Sequence, residues 1–319
     1  MSLTERVVFR ASIAVRSTLR RLGLTPTLEK IMNRLPDRKF NRGGWSIVPM
    51  QSLLPARIFY AFDAALGVAT GGNCPNCGKK GNSNEVVRRK AAGLTSVRKC
   101  GACGVLYRPV GFRGGRALQA YYSFLFTRAG VATARDLART PDELVKRMAG
   151  EGKDRSGLVA KVSPPPASIC VFGCSWGYEM LPLTEAGYAA FGVELSSTRR
   201  EFGQKQLGLP IYASFAEAKR VHPSVDVLLS SHVLEHIPAL SATIREAHQA
   251  LAPRFHVHLT PSVERFSEDP TLSSVIGREH PLGVTRVFWE KMARDLEMTL
   301  EFSEQQGEAL AVLRPGRLA

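Results

Sequence analysis

The chain has no stretch of about 18 uncharged apolar residues, the length a membrane-spanning helix needs. Its longest candidate, Leu53 to Val68, is broken by Arg57 and Asp63, so no span is expected. Glu5, Arg6 and Arg10 stand where an export signal would carry its apolar core, which argues against secretion and for a cytoplasmic location. Acidic residues are scarce in the first half. Residues 1–164 hold 10 Asp and Glu against 29 Lys and Arg, a net of +19; residues 165–319 hold 18 against 14, a net of −4. The change of sign falls at Ser163-Pro164-Pro165-Pro166, a stiff linker signal. The basic half is therefore the part expected to meet an anionic partner, either a membrane surface or nucleic acid. Thr4 to Leu22 has the period of an amphipathic helix, with Val8, Val15, Leu19 and Leu22 on one face. That face can lie peripherally on an anionic membrane or pack on the chain's own core.

Cysteine is also sparse, and its placement is informative. Of six cysteines, four form two C-x-x-C knuckles, Cys74-Pro75-Asn76-Cys77-Gly78 and Cys100-Gly101-Ala102-Cys103-Gly104. Four thiolates at this spacing suit a tetrahedral structural zinc ion, whose closed shell leaves no position for catalysis. Two disulfides are the alternative, and the absent export signal weighs against them. Glu85 to Arg88 and Thr95 to Lys99, between the knuckles, look like the strands of a zinc ribbon.

The second half is organised around Ala167 to Ser197. A short apolar run, Ile169 to Phe172, reads as a buried strand. Gly173, Ser175 and Gly177 follow at alternate positions, then a helical pattern (Tyr178, Met180, Leu181, Leu183) that stops at Gly187. A second strand, Ala189 to Val193, ends on Glu194. Strand, small-residue turn, helix, strand and acidic tip make the βαβ unit of a nucleotide-type cofactor site. The glycines let the backbone approach the ligand, and Glu194 can accept hydrogen bonds from ribose hydroxyls. The turn lacks the last glycine of G-x-G-x-x-G, having Tyr178 there, which disfavours a dinucleotide dehydrogenase.

Its G-x-(G/S)-x-G form resembles motif I of the class I S-adenosylmethionine-dependent methyltransferases. Val225 to Pro238 (VDVLLSSHVLEHIP) resembles that family's fourth strand and following loop, and Phe255 to Pro261 its fifth strand with a Thr-Pro exit. The resemblance covers roughly Pro165 to Leu313. It implies an α/β fold, a Rossmann-like sheet with helices on both faces, and S-adenosylmethionine as cofactor. It assigns cofactor contacts to Gly173, Cys174, Ser175, Gly177, Glu194, Leu195, Ser214, Phe215 and His232. The chain departs from the pattern at Val171, where a carboxylate is usual, and at Ser175 and Ser214. A scaffold that has lost catalysis is the reading those departures would support.

Val105-Leu106-Tyr107-Arg108 after the second knuckle, with Tyr121-Tyr122 beyond, further resembles a bacterial group in which a zinc ribbon and a Tyr-Tyr helix precede the catalytic domain. That group implies a small-molecule acceptor such as a sugar or a surface-polysaccharide precursor. The expected organisation is a basic helical region (1–70), a four-cysteine zinc ribbon (71–115), a helical connector or lid (116–164) and a catalytic domain (165–319).

Methyl transfer from a sulfonium is an in-line displacement accelerated mainly by positioning, and a hydroxyl acceptor also gains from a base near neutrality. His280, in Gly277-Arg278-Glu279-His280-Pro281 between the fifth and sixth strands, is the first choice for that base and His236 the second. Arg278, Glu279, Tyr121 and Tyr122 are the candidate substrate contacts, with Arg278 suited to a phosphate or carboxylate. Glu235 with His236 is otherwise expected to brace the following helix, His258 to be a satisfied core histidine, and Arg199 and Arg200 to be solvated. A nucleic-acid methyltransferase or nucleic-acid-binding protein stays open as the alternative, since the zinc-bearing half is basic. Against it, Ser231-His232-Val233-Leu234 replaces the (D/N/S)-P-P-(Y/F/W) motif of base-methylating enzymes, and no aromatic platform lies among the basic residues.

Overall fold

In a computed structural model of the chain, the structure describes residues 67–69, 71–90, 95–111, 142–143, 146, 154–269, 272, 275–277, 280–305 and 307–316. The expected N-terminal helix, most of the expected connector, Tyr121, Tyr122, Arg278 and Glu279 lie outside the described residues.

The apolar runs of the second half become strands buried on both faces, as parallel strands between helices must be. They are β4 (Ser168–Phe172), β5 (Ala189–Val193), β6 (Ile211–Tyr212), β7 (Val227–Ser231) and β8 (Phe255–Pro261). A terminal hairpin adds β10 (Met298–Gln305) and β11 (Glu308–Pro315), giving the order β10-β11-β8-β7-β4-β5-β6. Strands β4 to β8 pair in parallel, while β11 is antiparallel to both neighbours. Alternate side chains feed two cores. Cys170 and Phe172 join Phe191, Val193 and Leu228 on one face. Ile169 and Val171 join Val227, Leu229 and Val257 on the other. Each fully buried aliphatic or aromatic side chain contributes about 1.5–3 kcal/mol relative to exposure.

The helices are α1 (Ser156–Ala160), α2 (Met180–Glu185), α3 (Ser197–Leu207), α4 (Phe215–Lys219), α5 (Leu240–Leu251) and α6 (Arg286–Asp295). Because β4 has β5 on one side and β7 on the other, strand order reverses at β4, and ligands bind beyond the strand ends at such a switch point.

The knuckle unit has its own four-stranded sheet. Strands β1 (Glu85–Lys90), β2 (Thr95–Lys99) and β3 (Leu106–Tyr107) are antiparallel. The fourth strand, β9 (Leu282–Gly283), comes from the segment between β8 and β10 and pairs Leu106 with Gly283 and Tyr107 with Leu282. Buried Cys74, Cys100, Val105 and Tyr107 belong to the same core as Phe288 and Trp289 of α6. The Tyr107 hydroxyl donates to Gly72 O (2.9 Å) and accepts from Asn84 Nδ2 (2.9 Å), so its one polar atom is satisfied inside that core.

Among the described residues no helix is long and apolar enough to cross a membrane.

Candidate active site

The turn after β4 is shaped by backbone conformation. Gly173 (φ +70°), Ser175 (+54°) and Gly177 (+88°) all lie in the left-handed region. Ser175 thus keeps the conformation of the glycine it stands in for, at a steric cost of about 1–2 kcal/mol for an L-residue. Contacts on both sides hold the turn down. Gly173 N donates to Val193 O (2.8 Å), and a Cβ at Gly173 would lie 2.5 Å from Val233 Cγ2. Only glycine lets the turn pack that closely on the loop after β7.

Glu194 closes the turn from β5. Its Oε2 accepts from Ser175 N (2.9 Å) and its Oε1 from Ser196 N (2.7 Å). Burial raises its carboxyl above the usual range, against the pull of these N–H groups and of Arg199. Each oxygen keeps a second lone pair for a ribose hydroxyl. The arginines expected to be solvated are instead part of this corner. Arg199 Nη1 donates to Ser175 Oγ (2.8 Å) with its guanidinium 5.4 Å above the Trp176 ring, and Arg200 Nη1 donates to Glu194 O (2.8 Å). Arg199 falls in the first turn of a helix that begins at the pocket, a positional signal that its charge alone obscured.

Beyond β7, His232 (φ +53°) holds carboxylates at both ring nitrogens, Glu308 Oε1 2.7 Å from Nε2 and Glu235 Oε1 3.5 Å from Nδ1. Burial opposes its charge, but the two carboxylates outweigh it and raise its pKa to about 9. The His232 hydrogen bond and Arg155 hold Glu308 down to about 2 despite partial burial. Arg155 donates to Glu308 Oε1 (3.0 Å) and Ser231 Oγ (3.3 Å), completing an Arg155–Glu308–His232–Glu235 chain at the strand ends. Nothing in the sequence pairs Arg155 with Glu308, 153 positions apart. Sheet order does, because Glu308 at the start of β11 lies beside Pro261 at the end of β8.

Two further groups converge on Glu235 at the end of this chain. A ring nitrogen of His236, one of His280 and a carboxylate oxygen of Glu235 lie within 4.8 Å of one another. The His236 and His280 rings meet edge to face with centroids 4.7 Å apart. Glu235 is 1% exposed, and neither oxygen has a hydrogen-bond partner among the described residues. Burial pushes its carboxyl up, but His232, His236 and His280 together overcome that and keep it below the usual value. Glu235 and His236 therefore point inward and do not brace α5. Their 3-10 turn (Leu234–His236) packs against β9, and Arg108 of the knuckle unit anchors the His280 loop. Arg108 N donates to Pro281 O (3.0 Å) and its Nε to Gly277 O (2.6 Å).

A family model for the methyltransferase domain matches residues 133–304, more than half of the chain. The chain belongs to this family. It is an S-adenosylmethionine-dependent methyltransferase. The match begins at residue 133, ahead of the Pro-rich linker. Similar solved structures include magnesium protoporphyrin IX methyltransferase from Synechocystis PCC 6803 with bound SAM (16% identity, TM-score 0.44, 63% of this chain and 99% of that one). A TehB-like SAM-dependent methyltransferase from Corynebacterium glutamicum (17%, 0.38, 55% and 97%) and the methyltransferase domain of bacterial CtHen1-C (18%, 0.41, 52% and 98%) are further examples. No curated protein matches the sequence.

Other residues of the methyltransferase singled out from sequence are placed as follows. Leu195 leaves 45% of its surface exposed beside Glu194, an apolar face open to a ligand. Cys174 is buried beneath the turn, where a Cβ at Gly192 would meet its Sγ at 2.4 Å, so its side chain serves packing and leaves only backbone for a ligand. Ser214 Oγ caps α4 by accepting from Glu217 N (3.1 Å), and Phe215 is turned into the core against Phe172, centroids 4.9 Å apart. Both side chains are occupied by the fold. His258 is the satisfied core histidine expected, in a buried line from His248 Nδ1 to His256 Nε2 (3.0 Å), His256 Nδ1 to His258 Nε2 (3.3 Å) and His258 Nδ1 to Ser230 Oγ (2.8 Å). Its ring stacks on Trp289 at 5.0 Å.

The four knuckle cysteines form one cluster, with Cys74 Sγ 3.6 Å from Cys103 Sγ and Cys77 Sγ 3.5 Å from Cys100 Sγ. No disulfide joins them.

Proposed function

We propose that the enzyme methylates a hydroxyl oxygen of a small polyhydroxylated metabolite, a sugar or polysaccharide precursor, and that its four knuckle cysteines hold a structural zinc ion. The observation that carries the acceptor reading is the meeting of Glu235, His236 and His280 beside the loop that packs on the Gly173 turn. A hydroxyl bound there has imidazoles to take or direct its proton. A neutral amine is already a better nucleophile than a neutral hydroxyl and has less need of such a cluster.

S-adenosylmethionine supplies an electrophilic methyl group whose S–C bond breaks as the acceptor oxygen bonds to carbon. The chain's own residues do the positioning. The left-handed turn at Gly173, Ser175 and Gly177 admits the cofactor backbone, and Glu194 takes the ribose hydroxyls on its spare lone pairs. Leu195 offers an apolar face to the adenine. His232, doubly paired to carboxylates, fixes the loop that separates cofactor and acceptor. Of the histidines, His280 has the better-defined role. Its Nδ1 lies 2.9 Å from Val275 O, and a carbonyl can only accept, so Nδ1 carries a proton and Nε2 is the ring nitrogen left to face the acceptor.

For the zinc ion, the 3.5–3.6 Å sulfur separations are close to the ~3.8 Å edge of a tetrahedron with Zn–S near 2.3 Å. A cytoplasmic location would keep these thiols reduced and free to bind the ion.

Calorimetry with S-adenosylmethionine on the zinc-loaded chain and on Glu194→Ala tests the cofactor site. We expect binding that the variant weakens by about 1–3 kcal/mol. Radiolabelled methyl transfer to a panel of glycosides, nucleotide sugars and RNA then tests the acceptor. Label appearing in RNA and in none of the hydroxylated metabolites would overturn the assignment.

A further inference from the structure

Glu235 poses a problem of charge and solvation. A buried carboxylate normally carries several hydrogen bonds, because an unsatisfied one forfeits its hydration with no return. This one has none from the described residues; among them its ion-pair partner, His232 Nδ1, stands off at 3.5 Å while the other nitrogen of that ring is held by Glu308 at 2.7 Å. Among the described residues the other donor groups next to Glu235 are the rings of His236 and His280, each with a nitrogen within ligand reach. A single cation bound by the carboxylate and a ring nitrogen from each histidine would satisfy Glu235.

We infer that Glu235, His236 and His280 form a binding site for one divalent first-row metal ion, distinct from the four-cysteine cluster and open to the methyl acceptor. Three further observations support it. The donor set, two imidazoles and one carboxylate, is the type that binds such ions while leaving coordination positions vacant, unlike a closed four-thiolate shell. The Nδ1–H of His280 is held by Val275 O, which fixes the tautomer that leaves Nε2 free to ligate; outer hydrogen bonds of this kind orient metal-binding histidines. The donor atoms already lie within 4.8 Å of one another. Around an ion with bonds near 2.1 Å they would stand about 3 Å apart, a contraction that modest side-chain rotation supplies.

The inference rests on the methyl-transfer reading and refines it. With the ion bound, the imidazoles are ligands and no longer bases. The acceptor hydroxyl coordinates the ion, which lowers its pKa so that its proton passes to water. The oxygen then forms its bond to the methyl carbon as the S–C bond breaks, and the sulfur keeps the electron pair. An acceptor with two adjacent hydroxyls would fit best, since it can fill two vacant positions.

The test is titration of the zinc-loaded full-length chain with Mn2+, followed by the loss of the free-ion electron paramagnetic resonance signal. Wild type, Glu235→Gln and His280→Asn are compared, with S-adenosylmethionine affinity and melting temperature measured for each. We expect one bound Mn2+ per chain, at least tenfold weaker in both variants, with one zinc retained and cofactor affinity within about twofold of wild type. Absence of Mn2+ binding by wild type, or equal binding by variants that melt like wild type, would overturn the site. If a variant does not fold, wild-type stoichiometry and the Co2+ absorption spectrum decide instead. A bound Co2+ showing only thiolate bands would count against the site. Failure of the methyltransferase reading would show separately, as loss of S-adenosylmethionine binding with the ion count unchanged.

Discussion

Asn76, set between the two cysteines of the first knuckle, accepts the backbone N–H of Ser241 on its Oδ1 at 2.7 Å and so caps helix α5 from outside. The residue in the N-cap position, Ala239, has no side-chain oxygen for the task. Knuckle and helix are thus joined by a bond that normally lies within one helix terminus. Asn76→Ala is expected to lower stability by about 1 kcal/mol, as loss of an N-cap does, while occupancy of the proposed zinc site is unchanged. Urea unfolding of the zinc-loaded protein measures it, and an unchanged midpoint would show that the cap is dispensable.

A second link bears on the proposed role of His280. Arg108 fastens the loop carrying His280 through Gly277 O and Pro281 O. In Arg108→Met the main-chain bond survives and the guanidinium bond is lost, a charged hydrogen bond of about 1.5–3 kcal/mol. We expect kcat/KM for the acceptor to fall at least tenfold with S-adenosylmethionine affinity unchanged. Equal loss of both would mean that the residue supports the fold alone.

At the cofactor turn the prediction concerns Ser175. Its positive φ favours glycine, and its hydroxyl accepts from Arg199. Ser175→Ala keeps the strain and loses the hydrogen bond, whereas Ser175→Gly loses the same bond and relieves the strain. The glycine variant should therefore be more stable than the alanine variant by about 1 kcal/mol, the reverse of their order in a helix. Thermal melts of the two side by side decide this.

The turn also shows which features can be read in a sequence. Strands β4 and β5 and the helix between them were legible because each is a short apolar run bounded by glycine, and β8 because it runs unbroken from Phe255 to Pro261. Strand β9 was not, since a two-residue strand carries no period and its evidence is its partner, Leu106-Tyr107, some 175 positions earlier. His236 and His280 were legible as candidates by their place around the fifth strand. That Glu235 joins them was not, because a Glu-His pair before a helix reads equally well as a brace until its exposure is known. Arg199 failed for a related reason: helix α3 has no strong apolar stripe to announce which side faces the pocket.

Acid should destabilise the enzyme through its buried histidine line. Burial holds His258 down to about 3 and, with the neighbouring rings, His256 well below the ordinary 6.5. Between those values the unfolded chain binds more protons than the folded one, so stability falls as pH drops below about 6.5. The His232–Glu308 pair has the opposite slope at the alkaline end. With His232 raised to about 9, its contribution is complete below 6.5 and lost as pH climbs through 9; Glu308, held near 2, fails only in strong acid. Urea midpoints from pH 5 to 9.5 should show both flanks, and Glu308→Gln should flatten the alkaline one alone.

The pairing of β3 with β9 has a consequence for how this enzyme can change its acceptor. The segment between β8 and β10 carries the proposed acceptor contacts, and two of its residues form the outer edge of the knuckle sheet while the main chain on either side of His280 hangs from a knuckle arginine. Transplanting that segment into another methyltransferase would strand an edge with no partner, and replacing it here would uncover Leu106 and Tyr107. That segment and the cysteine knuckles would therefore have to be redesigned as one piece.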